Sequence, residues 1–285
     1  MSCPDRVPVD ETNDAVEPHG RWGSTLPEGV EIEIYRRSAE TVVGRTIMSV
    51  EAPDPWFLKH GATAATLTDA ATHQQVDEVR RIGKLLILDL ANGVRLGLRF
   101  GMTGRLIVDG TASIDSLEYS SSRNEPAWDR FALRFDNGGD LRIRDPRRLG
   151  GVELDPDEDA LGADVFTITP TQLRRRVTIG DVALKARLLD QSRIAGVGNL
   201  IADETLWRAG LDPGRRAGSL DDDEVNRLAR TLRSVVSVFL RDGGSHTGLL
   251  QPVRIRGGSC PKDGRELQRR QIGGRTTFSC PQHQS

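Results

Sequence analysis

Four side chains near the C-terminus are spaced as metal ligands. Two residues separate Cys260 from Asp263, two more separate Cys280 from His283, and sixteen lie between the pairs. Two such knuckles feed one tetrahedron in small zinc ribbons, where thiolate, imidazole and carboxylate all serve as ligands. Asp263 and His283 stand where an all-cysteine ribbon has thiolates, and an oxygen ligand weakens the site. Residues 253–285 hold few aliphatics, so a clasp of this kind is what would order them; two free cysteines on a basic tail are the alternative. The same 33 residues carry seven basic and two acidic side chains, an electrostatic footprint for phosphate.

Three further stretches could touch an anion or a base. GVGN at 196–199 opens the helical pattern LIADETLWRAGL, and glycine-rich turns of this kind aim backbone N–H groups at an anion. An ordinary helix–helix turn competes with that reading, while the preceding Lys185 and Arg187 favour the anion. FGMTGRL sets Met102 between glycines after an alternating strand, where a flexible apolar side chain could wedge into a base stack or simply fill the core. DPRRLG at 145–150 presents Arg147, Arg148 and Leu149 from a proline-initiated turn, with a solvated charged loop as the alternative.

The elements that must position these groups follow from periodicity. Residues 1–26 hold five acids against two arginines with few aliphatics and read as a disordered acidic tail. From Pro27 the chain reads as a short amphipathic helix, with strand as the competitor because Val30, Ile32 and Ile34 alternate with Gly29, Glu31 and Glu33. Period-two patterns over 79–90, 94–108, 128–136 and 140–145, separated by NG and NGG turns, predict an antiparallel β-sandwich or barrel through residue 152. After the acidic linker DPDEDALGAD, helical patterns at 170–178, 181–189, 199–209 and 221–241 make 153–250 a helical domain, and 251–285 form the finger.

The length of 285 residues suits about two domains. The formal charge of −2 conceals 35 arginines among the 39 basic residues, and arginine is the better bidentate phosphate ligand. No apolar run reaches the roughly 18 residues that span a bilayer. Cysteines at 3, 260 and 280 make no disulfide framework and no signal segment opens the chain, which points to a reducing cytoplasm.

Taken in order, these pieces resemble the formamidopyrimidine-DNA glycosylase and endonuclease VIII family of base-excision repair enzymes over about residues 27–285. PEGVEIEIYRR is similar to that family's N-terminal helix, RRIGKLLILDL to its lysine strand, FGMTG to its methionine turn and DPRRLG to its arginine turn. LLDQSRIAGVGNLIADE resembles its helix–two-turn–helix, and GGRTTFSCPQHQ the end of its zinc finger. The resemblance implies an α+β multidomain protein: an N-terminal antiparallel β-sandwich with a helix, a helix–two-turn–helix domain and a C-terminal zinc-finger β-hairpin. It further implies a DNA glycosylase with abasic-site lyase activity, a monomer that grips double-stranded DNA containing oxidised bases or abasic sites and holds one structural zinc.

Carried over by the same resemblance, Pro27 is the nucleophile whose amine attacks C1′ of the damaged nucleotide, Glu28 the acid/base beside it and Glu31 a supporting acid. Lys84 reaches a phosphate near the lesion, Lys185, Asn199 and Arg275 match the remaining phosphate-binding positions, and Arg275 lies in the finger hairpin that flanks the scissile sugar. Met102 and Arg147 match residues that fill the gap left by the extruded base, and Leu149 stands where phenylalanine is frequent. A damaged base must leave the stack before its sugar is reached. An α-amino group, titrating near 7.7–8, is more often neutral at physiological pH than lysine near 10.4.

Two departures matter. Pro27 follows Leu26, so its nitrogen is an amide that cannot form a Schiff base unless residues 1–26 are absent from the working protein, through initiation at residue 26 or proteolysis. A non-catalytic binder of damaged DNA and a monofunctional glycosylase using water are the alternatives. The eleven residues SHTGLLQPVRI between Gly244 and Arg256 are fewer than 8-oxoguanine-excising relatives carry, which points to a broader, pyrimidine-inclusive range.

Overall fold

The computed structural model describes residues 27–114, 117, 123 and 125–285; the acidic tail expected over 1–26 lies outside them. The N-terminal elements are α1 (Gly29–Ala39), β1 (Ile47–Glu51), α2 (Ala64–Ala71), β2 (Val76–Ile82), β3 (Leu85–Leu90), β4 (Arg95–Arg99), β5 (Arg105–Val108), β6 (Thr111–Ala112), β7 (Asp129–Phe135), β8 (Asp140–Arg144) and β9 (Gly151–Leu154). The strands form two antiparallel sheets, β2-β3-β4-β9 and β1-β7-β8-β5-β6. Their inner faces enclose a core that includes Leu86, Leu88, Leu98, Leu133 and Ile143. This is the expected sandwich, produced by side chains alternating across each strand.

Each of the two longest alternating stretches folds as two strands. Ile82 pairs with Leu85, so Gly83 and Lys84 form a two-residue turn at the tip of the β2–β3 hairpin. Gly83 takes a φ of 58°, and a Cβ there would lie 2.6 Å from that of Ala195, so no larger residue fits. Between β4 and β5 the chain turns at Gly101–Thr103.

The competing readings of the first helix have a common cause. α1 lies between two cores: Ile32, Tyr35 and Ala39 enter the sandwich, Val30 enters the helical core, and Ile34 packs against both. Apolar residues are therefore required on two sides, which imitates strand alternation.

The second half contains β10 (Ala163–Asp164), α3 (Pro170–Val177), α4 (Leu184–Leu189), β11 (Ile194–Ala195), α5 (Asn199–Ala209) and α6 (Asp222–Arg241). The helix expected from residue 181 begins at 184, because Ala183 makes a β-bridge with Arg216. α6 is capped reciprocally: Glu224 N–H donates to Asp221 Oδ1 at 2.8 Å and Asp221 N–H to Glu224 Oε2 at 3.0 Å. The finger is the hairpin β12 (Gln268–Ile272) and β13 (Arg275–Ser279), joined by Gly273 and Gly274 with φ of 58° and 70°. A turn with both central φ positive matches the twist of its strands and demands glycine. The finger packs on α5 through Trp207, which shares a small core with Leu267, Phe278, Cys260 and Cys280. Among the described residues no helix is long and apolar enough to cross a membrane.

Candidate active site and metal centre

Glu28 immediately precedes α1, and its carboxylate crosses to the start of α5. There Oε1 accepts from Leu200 N–H at 2.8 Å and Oε2 from Ile201 N–H at 3.0 Å. The anion at the GVGN turn is therefore the protein's own carboxylate. The glycines make this approach possible: a Cβ on Gly198 would lie 2.1 Å from Glu28 Cδ, and Gly29 N–H donates to Gly196 O at 2.8 Å. Burial pushes the Glu28 carboxyl up to about 7; Lys84 and the two N–H groups pull it down, and Glu31 adds to the rise. A carboxyl poised there can hold or deliver a proton at neutral pH.

Lys84, at its hairpin tip, faces the same space. Burial lowers its ammonium pKa, Arg275 lowers it further, and Glu28 and Glu31 oppose. Together with Pro27, Met102, Arg147, Asn199 and Arg275, these residues line one cavity of about 530 Å³. Its walls thus come from the two residues before α1, the β2–β3 turn, the methionine and arginine turns, the start of α5 and the finger hairpin. Met102 is 39% and Leu149 42% exposed, so neither is a core filler. Arg147 and Arg275 are exposed, while the half-buried Asn199 has an Oδ1 without a hydrogen-bond partner.

Two expected contacts take other roles. Lys185 is fully buried, and its ammonium reaches Asp203 Oδ1 at 2.7 Å, Thr277 Oγ1 at 2.7 Å and Thr276 O at 3.2 Å. It meets no solvent-facing phosphate; it fastens the finger strand β13 to α4 and α5, which sets the hairpin that carries Arg275. Glu31, expected as a supporting acid within the DNA-binding site, is also buried: Oε2 accepts from Glu28 N–H at 2.9 Å and Oε1 from Ser245 N–H at 2.7 Å. It fixes the start of α1 against the end of the helical domain.

Asp145 and Asp203 are absent from the sequence-derived set. Asp145, fully buried, accepts from Arg147 N–H at 3.1 Å, from Gly150 N–H at 2.8 Å and from the Thr103 hydroxyl, so it ties the arginine turn to the methionine turn. An Asp before Pro at a turn is a readable signal for this capping. Asp203 accepts from Lys185 and Arg254 and from Phe278 N–H at 3.3 Å. Only its position in a helical run betrays it, since its partners lie far along the chain.

The ligand atoms of Cys260, Asp263, Cys280 and His283 lie within 4.8 Å of one another. His283 Nε2 stands 3.1 Å from Trp207 O, and an N–H donated there leaves Nδ1 to face the cluster. Trp207 Nε1 donates to Cys260 Sγ at 3.3 Å, and the backbone N–H groups of Lys262 and Gln282 donate to Cys260 and Cys280, each at 3.4 Å. Such donors stabilise thiolates. The Arg265 N–H, ahead of His283, holds the Asp263 carboxyl well below the usual range. Two sulfurs, a nitrogen and an oxygen, oriented by a second layer of hydrogen bonds, suit a tetrahedral divalent metal.

Two family models match the chain: the formamidopyrimidine-DNA glycosylase N-terminal domain over residues 26–152 and the formamidopyrimidine-DNA glycosylase H2TH domain over residues 158–250. A formamidopyrimidine-DNA glycosylase of Heliobacterium modesticaldum is 33% identical, with 91% of this chain and 100% of the relative covered. Another, of Carboxydothermus hydrogenoformans, is 30% identical, with 90% and 98% covered. Among solved structures, Lactococcus lactis Fpg in complex with a FAPY-dG-containing DNA superposes with a TM-score of 0.74 at 25% identity, covering 90% of this chain and 99% of that one. A complex between the LlFpg protein, a THF-DNA and an inhibitor gives 0.76 at 25% identity, covering 91% and 100%.

Proposed function

The chain belongs to the formamidopyrimidine-DNA glycosylase family, and from that premise we propose that it is a base-excision repair glycosylase with an associated abasic-site lyase activity, working through the amine of Pro27. The observation that carries this reading is the single cavity that gathers Pro27, Glu28, Lys84 and Arg275. Duplex DNA lies across the cavity mouth with the damaged nucleotide extruded into it. Met102 and Arg147 occupy the gap left in the stack, and Lys84, Asn199 and Arg275 hold the flanking phosphates.

The neutral Pro27 amine attacks C1′. Glu28 protonates O4′ as the C1′–O4′ bond breaks and the ring opens; the nitrogen then gives up its own proton, and its lone pair expels the base, which leaves with the glycosidic electron pair and takes up that proton. The resulting iminium acidifies the 2′ position, and loss of that proton expels the 3′ phosphate.

An amine at Pro27 requires the absence of residues 1–26. Support comes from the family model, whose match begins at residue 26, and from relatives covered over 98–100% of their length by about nine-tenths of this chain. The short path from Gly244 to Arg256 supports a range of oxidised bases that includes pyrimidines.

The test uses protein beginning at Pro27 and end-labelled duplexes, each with one oxidised purine or pyrimidine. Base release and strand scission on at least one of them are expected. Release from none overturns the reading and leaves a non-catalytic binder, which the Leu26–Pro27 amide of the 285-residue chain would favour.

Zinc is the metal proposed for the Cys260–Asp263–Cys280–His283 cluster, where it would supply folding free energy to the finger and take no part in the reaction. Cys280→Ser is expected to lose the bound zinc, about one ion per chain in the parent, and to weaken abasic-duplex binding by at least about tenfold through displacement of Arg275. Elemental analysis and a binding titration check both.

A further inference from the structure

We propose that Trp56 is a base-stacking platform, with Lys59 and Arg148 as its phosphate contacts, which extends the DNA surface beyond the cavity along the arginine turn. Trp56 is 69% exposed, the highest value among the large exposed hydrophobics of the described residues. Its backbone is nevertheless anchored. It sits in the one-turn helix Pro55–Phe57, its N–H donates to Asp54 Oδ1 at 3.1 Å, and the adjacent Phe57 is fully buried in the sandwich. Leu58 bridges Val152 in parallel and Lys59 N–H donates to Val152 O at 2.8 Å. That pairing, the 3.5 Å contact of Arg148 with Asp54 and the approach of Phe57 to Gly150 tie the segment carrying Trp56 to the arginine turn. Leu149 in turn abuts the methionine turn, where a Cβ on Gly101 would lie 2.5 Å from the Leu149 backbone. Met102, Leu149 and Trp56 are thus exposed apolar groups on three segments tied to one another.

The charge beside them has the sign of a phosphate partner. Lys59 donates to Trp56 O at 2.6 Å and lies 5.5 Å from the indole centroid. Arg148 is exposed at the turn, 3.5 Å from Asp54. A solvent-facing indole on an anchored backbone, with an ammonium 5.5 Å from its centroid, suits the face of a nucleobase, whose stacking is tolerant of sequence. The occupant to which this geometry commits is the base opposite the extruded nucleotide or its immediate neighbour on that strand, on a face that Met102 and Arg147 leave uncovered.

The inference rests on the glycosylase reading above, and the experiment separates the two. Parent, Trp56→Ala and Trp56→Phe proteins are titrated with a duplex carrying a tetrahydrofuran abasic analogue and 2-aminopurine opposite it or one step to either side. Trp56→Ala is expected to bind about tenfold more weakly, within the range known for base–aromatic stacking, while Trp56→Phe keeps most of the affinity. 2-Aminopurine emission at one of these positions should fall with parent and Phe protein and stay high with Ala. Equal affinity and equal emission for all three overturn the platform and leave the glycosylase reading standing. Failure of the parent itself to bind overturns that reading and the platform with it.

Discussion

A chain that begins at Pro27 is expected to form a borohydride-stable adduct with abasic-site DNA, and the 285-residue chain is expected to form none above background. The argument is electronic. In the longer chain the Pro27 lone pair is delocalised into the Leu26 carbonyl and cannot add to C1′. Removal of residues 1–26 creates a secondary amine at the wall of the cavity that also holds Glu28, Lys84 and Arg275. Mass analysis of the trapped peptide locates the attachment. The informative adverse result is an adduct on Lys84, whose amine burial makes more available: a lysine adduct in both forms would remove Pro27 from the mechanism.

Glu28→Gln in the Pro27-first protein is expected to slow base release by about 10²- to 10⁴-fold, the range for loss of a positioned acid or base. The change preserves shape and one acceptor for the α5 N–H groups but removes the titrating proton. Because burial raises the Glu28 carboxyl to about 7, base release by the parent should fall as pH rises through that value, when the acid form disappears. The Gln variant lacks that limb. Stability follows the same proton: the folded chain binds it more tightly than the unfolded chain, so the contribution is full below the ordinary value of 4.5 and is lost as pH rises to about 7. A rate profile that keeps its limb in Glu28→Gln assigns the acid to another group.

Local chemistry made much of this molecule legible. Strand alternation reported the sandwich, the spacing of Cys260, Asp263, Cys280 and His283 reported the ligand cluster, and the glycines around Met102 reported an exposed turn. What escaped is what depends on distant partners. Lys185 reads as a surface cation until Asp203, Thr276 and Thr277 surround it. The GVGN turn reads as an anion site, and it is one, yet nothing near residue 198 indicates that the anion comes from residue 28. Glu31 reads as a reagent because its type is right; its burial against Ser245 makes it scaffold. Residue type announces chemistry, whereas burial decides whether the chemistry is offered outward or used inward.

The bond from Glu28 to the first N–H groups of α5 makes the proposed acid a latch as well. Its carboxylate belongs to the chain that enters the sandwich-facing helix, and its donors belong to the helical half. If the two halves hinge apart, the carboxylate is stripped of both donors and exposed to water, and its proton affinity falls towards that of a free acid. The proton affinity of Glu28 is therefore set by the packing of one half on the other, and a substitution that loosens the start of α5 is expected to lower it towards the ordinary value of 4.5.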